Sequence, residues 1–157
     1  MKVHVYERWW IRAAIIMIAG FLGAMVYGAA RHAVHPPSHI EAIDPLTVRT
    51  SSEFATPGVR VDDGAITIVG VAEMFRFLPM VARVPVGEPI RFRLTSPDVL
   101  HGFQIVGTNA NTMVVPGYVS EFTVTFPRTG EYLIVCNEYC GLSHHLMQAK
   151  LIVEDPS

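Results

Sequence analysis

The sequence predicts a mainly β protein, an antiparallel sandwich or Greek-key barrel, attached to one transmembrane helix. Three observations predict it. Residues 13–30 form one long uncharged run. After Gly64, seven short apolar or alternating runs are separated by turn residues and never alternate with helical patterns, which excludes a βαβ fold. Only 17% of the 157 residues are charged, which indicates a membrane segment and excludes a disordered chain.

The N-terminal residues 1–31 are expected to form a retained membrane anchor. As a helix, the 18 residues from Ala13 to Ala30 span about 27 Å, close to the hydrocarbon core of a bilayer. Lys2, Arg8 and Arg12 precede the run. The positive-inside rule therefore places the N-terminus in the cytoplasm and the rest of the chain outside. The expected location is the plasma membrane of a prokaryote, with the outer part on the periplasmic or extracellular side. A cleaved signal peptide is the alternative, but its apolar region would be shorter.

Residues 32–63 are expected to be an extended linker, because they contain four prolines, clustered Ser and Thr, and no sustained periodicity. Residues 64–157 then form the outer domain. Its predicted strands are AITIVGVA, MVARVPV, PIRFRLTS, HGFQIVG, VSEFTVTF, GEYLIVC and MQAKLIVE. The net charge of −2 argues against nucleic acid as a partner.

The segment CNEYCGLSHHLM carries both cysteines of the chain, followed by imidazoles and a thioether. The spacing would align Cys136, Cys140, His144 and Met147 on one helical face, but would spread them over about 16 Å. Metal–sulfur bonds are only about 2.3 Å long, so a compact site needs a loop. Gly141 and the predicted strands on both sides favour that loop.

Several chemistries compete for this segment. A Cys136–Cys140 disulfide would leave His144 and Met147 unexplained. Zinc has little use for a thioether and its usual two-residue cysteine spacing is absent, whereas thiolate, imidazole and thioether together favour copper. A blue-copper site uses one cysteine, and two thiolates can bridge two copper ions. A further imidazole has to come from a neighbouring strand, and His101 stands at the start of one.

The motifs DVLHGF and CNEYCGLSHHLM resemble the CuA domain of cytochrome c oxidase subunit II. IDPLTVR and RVPVGEPIRFRLTSPDVLHGFQIVGTN are similar in particular to the short, single-anchor subunit II of the ba-type haem-copper oxidases. The resemblance implies a cupredoxin-like Greek-key sandwich and a dinuclear copper centre with six ligands. The implied ligands are two bridging thiolates, two imidazoles, a thioether and a backbone carbonyl: Cys136, Cys140, His101, His144, Met147 and Glu138.

The register of the motif selects His144 as the ligand and leaves His145 beside the site or on the surface. Glu138 departs from the ba-type pattern, which has Gln, and matches the longer subunits, whose side chain also reaches magnesium at the interface with subunit I. Magnesium is therefore an additional expected cofactor. The longer subunits carry tryptophans where this chain has Phe75 and Phe77. An electron route through either ring is a hypothesis, with core packing as the alternative.

The resemblance implies an electron-transfer subunit of a respiratory oxidase, without catalytic residues of its own. Single electrons would pass from cytochrome c, or a small copper protein, through CuA to haem in subunit I, where oxygen is reduced to water. From Ser51 onward the chain has 11 acidic and 7 basic residues, which slightly favours a basic donor. The alternatives are a nitric oxide reductase using the same copper module, a mononuclear blue-copper carrier, a copper-delivery protein, and a copper-free subunit of a quinol oxidase.

Overall fold

The computed structural model describes residues 4–32, 41–51 and 53–156. The chain divides into two compact units, residues 1–39 and residues 40–157. The first contains helix α1, Val5–His32. The most apolar 18-residue window of this helix has a mean hydropathy of 2.0 and is 0% buried within the protein. The predicted apolar run is thus helical, and it is long and apolar enough to cross a membrane.

The second unit is a sandwich of two sheets, and the mainly β prediction is confirmed. Its strands are β1 Glu41–Ala42, β2 Gly58–Asp62, β3 Ala65–Glu73, β4 Arg76–Leu78, β5 Val81–Pro85, β6 Pro89–Thr95, β7 His101–Ile105, β8 Asn111–Val114, β9 Tyr118–Thr125, β10 Gly130–Val135 and β11 Gln148–Glu154. Two 3₁₀ turns, Pro45–Thr47 and His144–Leu146, complete it. All seven predicted strands are present.

One sheet has the order β1-β9-β6-β3-β2, with β4 paired to β3; the other has the order β5-β11-β10-β7-β8. Most neighbouring strands are antiparallel, as predicted, but β3 pairs with β6 and β5 with β11 in parallel. These parallel pairs arise because the chain crosses between the sheets before it returns to each of them. The second sheet places β7, β10 and β11 close together, so the ends of these strands are neighbours.

Strand β6 shows how the sequence builds the core. Its residues alternate, with Ile90, Phe92 and Leu94 buried between the sheets. Arg93 points to the other face, where it forms ion pairs of 2.6–2.8 Å with three carboxylates, those of Glu41, Glu53 and Glu121. These carboxylates, Glu53 above all, hold the pKa of Arg93 above its ordinary value although burial opposes them. The network ties Glu41 and Glu53 to the sheet.

The outer domain begins earlier in the structure than the predicted boundary at residue 64. Strand β1 pairs with β9, and β2 pairs with β3. Val48 and Phe54, which are 0% and 2% exposed, pack over the outer face of β3 in a second apolar cluster. Residues 41–51 and 53–63 are therefore folded onto the domain. Val48 and Phe54 are isolated apolar residues in the sequence, and the surface that they cover is formed by residues distant along the chain. Of the predicted linker, residues 33–40 lie outside the described part of the chain.

Candidate metal centre

The segment 136–147 is a loop at one end of the second sheet, as its glycine and flanking strands predict. Strand β10 ends at Val135 and β11 begins at Gln148. The Cys136 N–H donates to the Met147 carbonyl at 3.2 Å, so the first and last ligand candidates of the loop are neighbours. Gly141 has φ +131°, a conformation that L side chains rarely adopt. The backbone therefore folds the spaced residues of the motif back onto one another.

The loop brings the two thiols together in the protein interior. Cys136 and Cys140 are 7% and 5% exposed, and both are free. Their sulfur atoms are 3.8 Å apart, so the structure does not contain the disulfide considered as an alternative. A separation of 3.8 Å is less than twice the length of a metal–thiolate bond, about 2.3 Å, so both sulfurs can contact the same metal ions.

The other loop candidates lie at opposite sides of this sulfur pair. The Glu138 carbonyl oxygen is 3.1 Å from the Cys136 Sγ. The Cys140 Sγ is 3.6 Å from the His144 Nδ1 and 3.7 Å from the Met147 Sδ. Met147 is 2% exposed, so its thioether is shielded from water. The carbonyl thus lies beside one sulfur atom and the thioether beside the other.

His101 reaches the same place from strand β7. It is 0% exposed, and its Nδ1 lies 4.0 Å from the Cys136 Sγ. The ligand atoms of His101, Cys136 and Cys140 all lie within 4.8 Å of one another. The His101 Nε2 is 2.9 Å from an Asp98 carboxylate oxygen. If Nε2 carries the proton and its N–H donates a hydrogen bond to Asp98, the lone pair of Nδ1 points toward the cysteines.

Asp98 belongs to the candidate site, although the sequence patterns did not predict it. Besides His101, its carboxylate accepts the Met74 N–H at 2.7 Å and the Val99 N–H at 2.6 Å. Burial raises the pKa of Asp98, but the hydrogen bonds from Met74, His101, Val99 and Ser96 outweigh it and lower that pKa below its ordinary value. The carboxylate therefore stays ionised and fixes the imidazole. A carboxylate three residues before a candidate histidine ligand is the signal that could have found it.

The metal-free Cys140 thiol is protonated near neutral pH. Burial first, and the neighbouring Cys136 second, raise the pKa of Cys140 to about 11. A metal binds the thiolate rather than the thiol, so metal uptake at this site must release a proton. The energetic gain from metal–sulfur bonds therefore has to exceed the cost of deprotonating a buried thiol.

The remaining predicted residues divide between the surface, the core and the loop. His145 is exposed whereas His144 is partly buried, in line with His144 as the inner imidazole. Phe77 packs against Phe103 at 5.4 Å in the core, which favours the packing role for that ring. Phe75 lies against Gly141, where an added Cβ would be 2.9 Å from its ring.

The donor set fits copper. Two thiolates, an imidazole and a thioether are soft or borderline ligands, which select copper, whereas magnesium and calcium require oxygen ligands. The small separations between the sulfur and nitrogen atoms allow a compact centre. The burial of the sulfur atoms also distinguishes this site from a copper-delivery site, which would expose its ligands for exchange.

Comparison with known proteins agrees with the fold and with the donor set. Residues 54–154 match the family described as cytochrome c oxidase subunit II, periplasmic domain. A cytochrome c oxidase subunit 2 of Thermus thermophilus is 39% identical, over 98% of this chain and 94% of its own. A chain of a heme-copper terminal oxidase dimer solved by cryo-EM is 31% identical with a TM-score of 0.69, covering 95% of this chain and 99% of its own.

The outer domain also has the fold of a solved oxidase domain. The periplasmic domain of subunit II of the cytochrome oxidase of Bradyrhizobium japonicum superposes with a TM-score of 0.52 at 20% identity, over 64% of this chain and 88% of its own. At that identity the likeness concerns the fold alone. The cupredoxin-like sandwich expected from the sequence is thereby confirmed.

Proposed function

Because the chain belongs to the cytochrome c oxidase subunit II family, we propose that it carries single electrons into a respiratory haem-copper oxidase through a dinuclear CuA centre. The chain is an electron-transfer subunit with a copper site. The observation that carries the dinuclear assignment is the pair of buried sulfur atoms 3.8 Å apart, with an imidazole nitrogen close to each of them. A mononuclear blue-copper site would leave one of these thiols without a role.

We propose the six ligands that the family motif implies, and the geometry supports each of them. The centre, when bound, takes up and releases one electron. The chain's own residues hold the ligand atoms in place. Strand β7 and Asp98 fix His101, and the backbone hydrogen bond from the Cys136 N–H to the Met147 carbonyl closes the loop. Burial of Met147 excludes water. Rigid, dry surroundings keep the ligand positions similar in both oxidation states, which favours fast electron transfer.

The electron donor and acceptor follow from the family. Haem in subunit I is the proposed acceptor and oxygen the terminal oxidant; no observation favours nitric oxide. Cytochrome c, or a small copper protein, is the proposed donor, and the excess of acidic residues after Ser51 supports a basic one. Helix α1 anchors the subunit, with its N-terminus proposed to be cytoplasmic and the copper domain on the periplasmic side of the plasma membrane.

The function is tested in the oxidase assembled with its haem subunit. Cys136→Ser removes one bridging sulfur, so oxidation of reduced cytochrome c should fall by orders of magnitude, while haem content stays that of the wild type. A small membrane-permeant reductant that bypasses CuA should still drive oxygen consumption. His145→Ala is the matched control and should keep cytochrome c oxidation. Unchanged cytochrome c oxidation in Cys136→Ser would overturn the proposal.

Glu138 has a proposed second role as a magnesium ligand at the subunit I interface. Its carbonyl faces Cys136, which leaves the carboxylate free to bind a different, hard cation. Glu138→Gln keeps the shape and removes the charge, so copper content should remain while bound magnesium is lost and electron transfer to haem slows. Metal analysis and the rate of haem reduction measure both effects. Loss of copper would show that the carboxylate, not the carbonyl, holds the copper site.

A further inference from the structure

We infer that Asn137, seated in a notch above Gly102 and held by Asn111, is a positioning residue that sets the Glu138 carbonyl against Cys136. The inference rests on the proposed copper centre, in which that carbonyl is a ligand. Asn137 is not among the six proposed ligands, and neither are Gly102 and Asn111. These residues would act on the centre through the backbone of the loop.

The notch exists because Gly102 has no side chain. Gly102 follows His101 on β7, directly beneath the start of the copper loop. A Cβ at this position would lie 2.0 Å from the Asn137 Oδ1 and 2.8 Å from the Glu138 backbone nitrogen. The Asn137 amide thus occupies the space that any other residue at position 102 would fill. This glycine is required for close approach rather than for a positive φ, because it lies in a regular strand.

A side-chain hydrogen bond holds Asn137 in that notch. Its Nδ2 donates to the Asn111 Oδ1 at 3.1 Å. Asn111 is the first residue of β8, and it pairs with Gln104 of β7, which follows Gly102 on the same strand. The amide of Asn137 therefore lies across two paired strands, and it links the loop to the strand that carries His101. The loop's position is fixed relative to His101 by contacts that do not involve the metal.

The distances around Gly102 indicate that its close contact with the loop controls the position of Glu138. If residue 102 carried a Cβ, the Glu138 nitrogen would have to recede by about 0.6 Å to reach an ordinary contact distance of 3.4 Å. The Glu138 nitrogen is joined to its carbonyl carbon through a single atom, Cα, so a shift of the nitrogen displaces the carbonyl unless rotation about φ and ψ of Glu138 compensates. Metal–ligand distances vary by only about 0.2 Å in a well-formed site. The clash falls on residues 137 and 138, so the Glu138 carbonyl is the proposed ligand that belongs to a displaced residue.

The test uses the detergent-solubilised full chain loaded with copper. Gly102→Ala should retain both copper ions, because the thiolates, imidazoles and thioether remain. Its reduction potential and the copper hyperfine pattern of its EPR spectrum should shift, and its copper affinity should fall by roughly 10–100-fold, as for other residues that orient metal ligands. Gly70→Ala is the matched control. A Cβ there would meet Leu94 at 2.7 Å in the core, so it should lower stability and leave the spectrum and potential unchanged.

A second pair of variants decides the matter if Gly102→Ala does not fold. Asn111→Ala removes the acceptor from an exposed position, and should shift the potential and spectrum in the same direction as Gly102→Ala, by less. Asn111→Asp keeps an acceptor oxygen and should restore the wild-type values. Identical spectra and potentials in wild type and Asn111→Ala would overturn the inference. A wild-type chain without a two-copper spectrum would instead overturn the proposed function.

Discussion

The two halves of the copper site are built differently. The strand half is His101, which is 0% exposed and fixed by β7 on one side and by Asp98 on the other. The loop half runs from Cys136 to Met147, and its His144 is only partly buried and lies in a short 3₁₀ turn. Within the site, His144 is close to Cys140, at 3.6 Å. One imidazole is held by the fold, whereas the other is held chiefly by its own loop.

Because of this difference, the two histidines should contribute differently to the stability of the fold, although both are proposed to bind the metal. A residue that the fold holds should cost stability when it is removed, with or without copper. A residue that the loop holds should matter only when copper is bound. Both imidazoles are proposed ligands of the same centre, so metal content alone does not distinguish them. Unfolding of the metal-free chain does.

The largest expected effect is that of replacing His101. His101→Ala should abolish the two-copper centre. It should also destabilise the metal-free chain by about 1–3 kcal/mol, because it leaves a buried gap and removes the hydrogen bond that the Asp98 carboxylate accepts from His101. His144→Ala should abolish the centre equally but change the metal-free free energy of unfolding by no more than about 0.5 kcal/mol. Denaturant unfolding after copper removal measures both. Equal destabilisation by the two variants would contradict the contrast between the halves.

A smaller effect is expected for Asp98→Asn. The amide keeps the shape but weakens the bond to His101, so copper affinity should fall by roughly 10–100-fold with both coppers still bound at saturation. The folded-state pKa of Asp98 lies below its ordinary value of 3.8. Its carboxylate therefore stabilises the folded chain above pH 3.8, and this contribution disappears as the pH falls through the lowered folded-state pKa.

The pH dependence of the unfolding free energy tests whether Asp98→Asn acts through the loss of the carboxylate charge. In the metal-free chain, the difference in unfolding free energy between wild type and Asp98→Asn should shrink as the pH falls below 3.8. Urea unfolding at a series of acidic pH values measures it. A difference that stays constant with pH would mean that the Asp98 carboxylate does not stabilise the fold through its charge.

The smallest effect is expected for His145→Ala, which sharpens the loop half of the comparison. His145 is exposed and adjacent to His144, so its removal should leave copper content, spectrum and stability within error of the wild type. The His144→Ala and His145→Ala variants differ by one position in the same turn. Loss of the centre in His145→Ala, with retention in His144→Ala, would shift the ligand register by one residue.

The strands of the outer domain show how far the sequence predicts the structure. The seven predicted strands are all formed, because each combines a period-two or apolar run with turn residues at its ends. The strands that were not predicted are β1, β2, β4 and β8. Strands β1 and β4 have two and three residues, too few for any periodicity. Their pairing depends on surfaces created elsewhere in the chain, such as the outer face of β3.

For the site, the loop half was predictable and the strand half less so. Thiolates, imidazole and thioether within twelve residues indicate soft-metal chemistry from residue type alone, and the bond lengths require a loop. That His101 meets Cys136 across 35 positions depends on strand order, which local patterns do not contain. The placement of Asp98 and the contact between Gly102 and Asn137 depend on register at single-residue precision, so neither could be predicted from local sequence patterns.

The central claim, two copper ions held by six ligands from both halves, is tested most directly by counting copper and recording the EPR spectrum of the oxidised, detergent-solubilised chain. The account predicts two copper ions per chain and one unpaired electron whose hyperfine splitting arises equally from both nuclei. That result requires both sulfur atoms to bridge the same two ions, as their 3.8 Å separation allows. One copper ion per chain, with splitting from a single nucleus, would contradict the account.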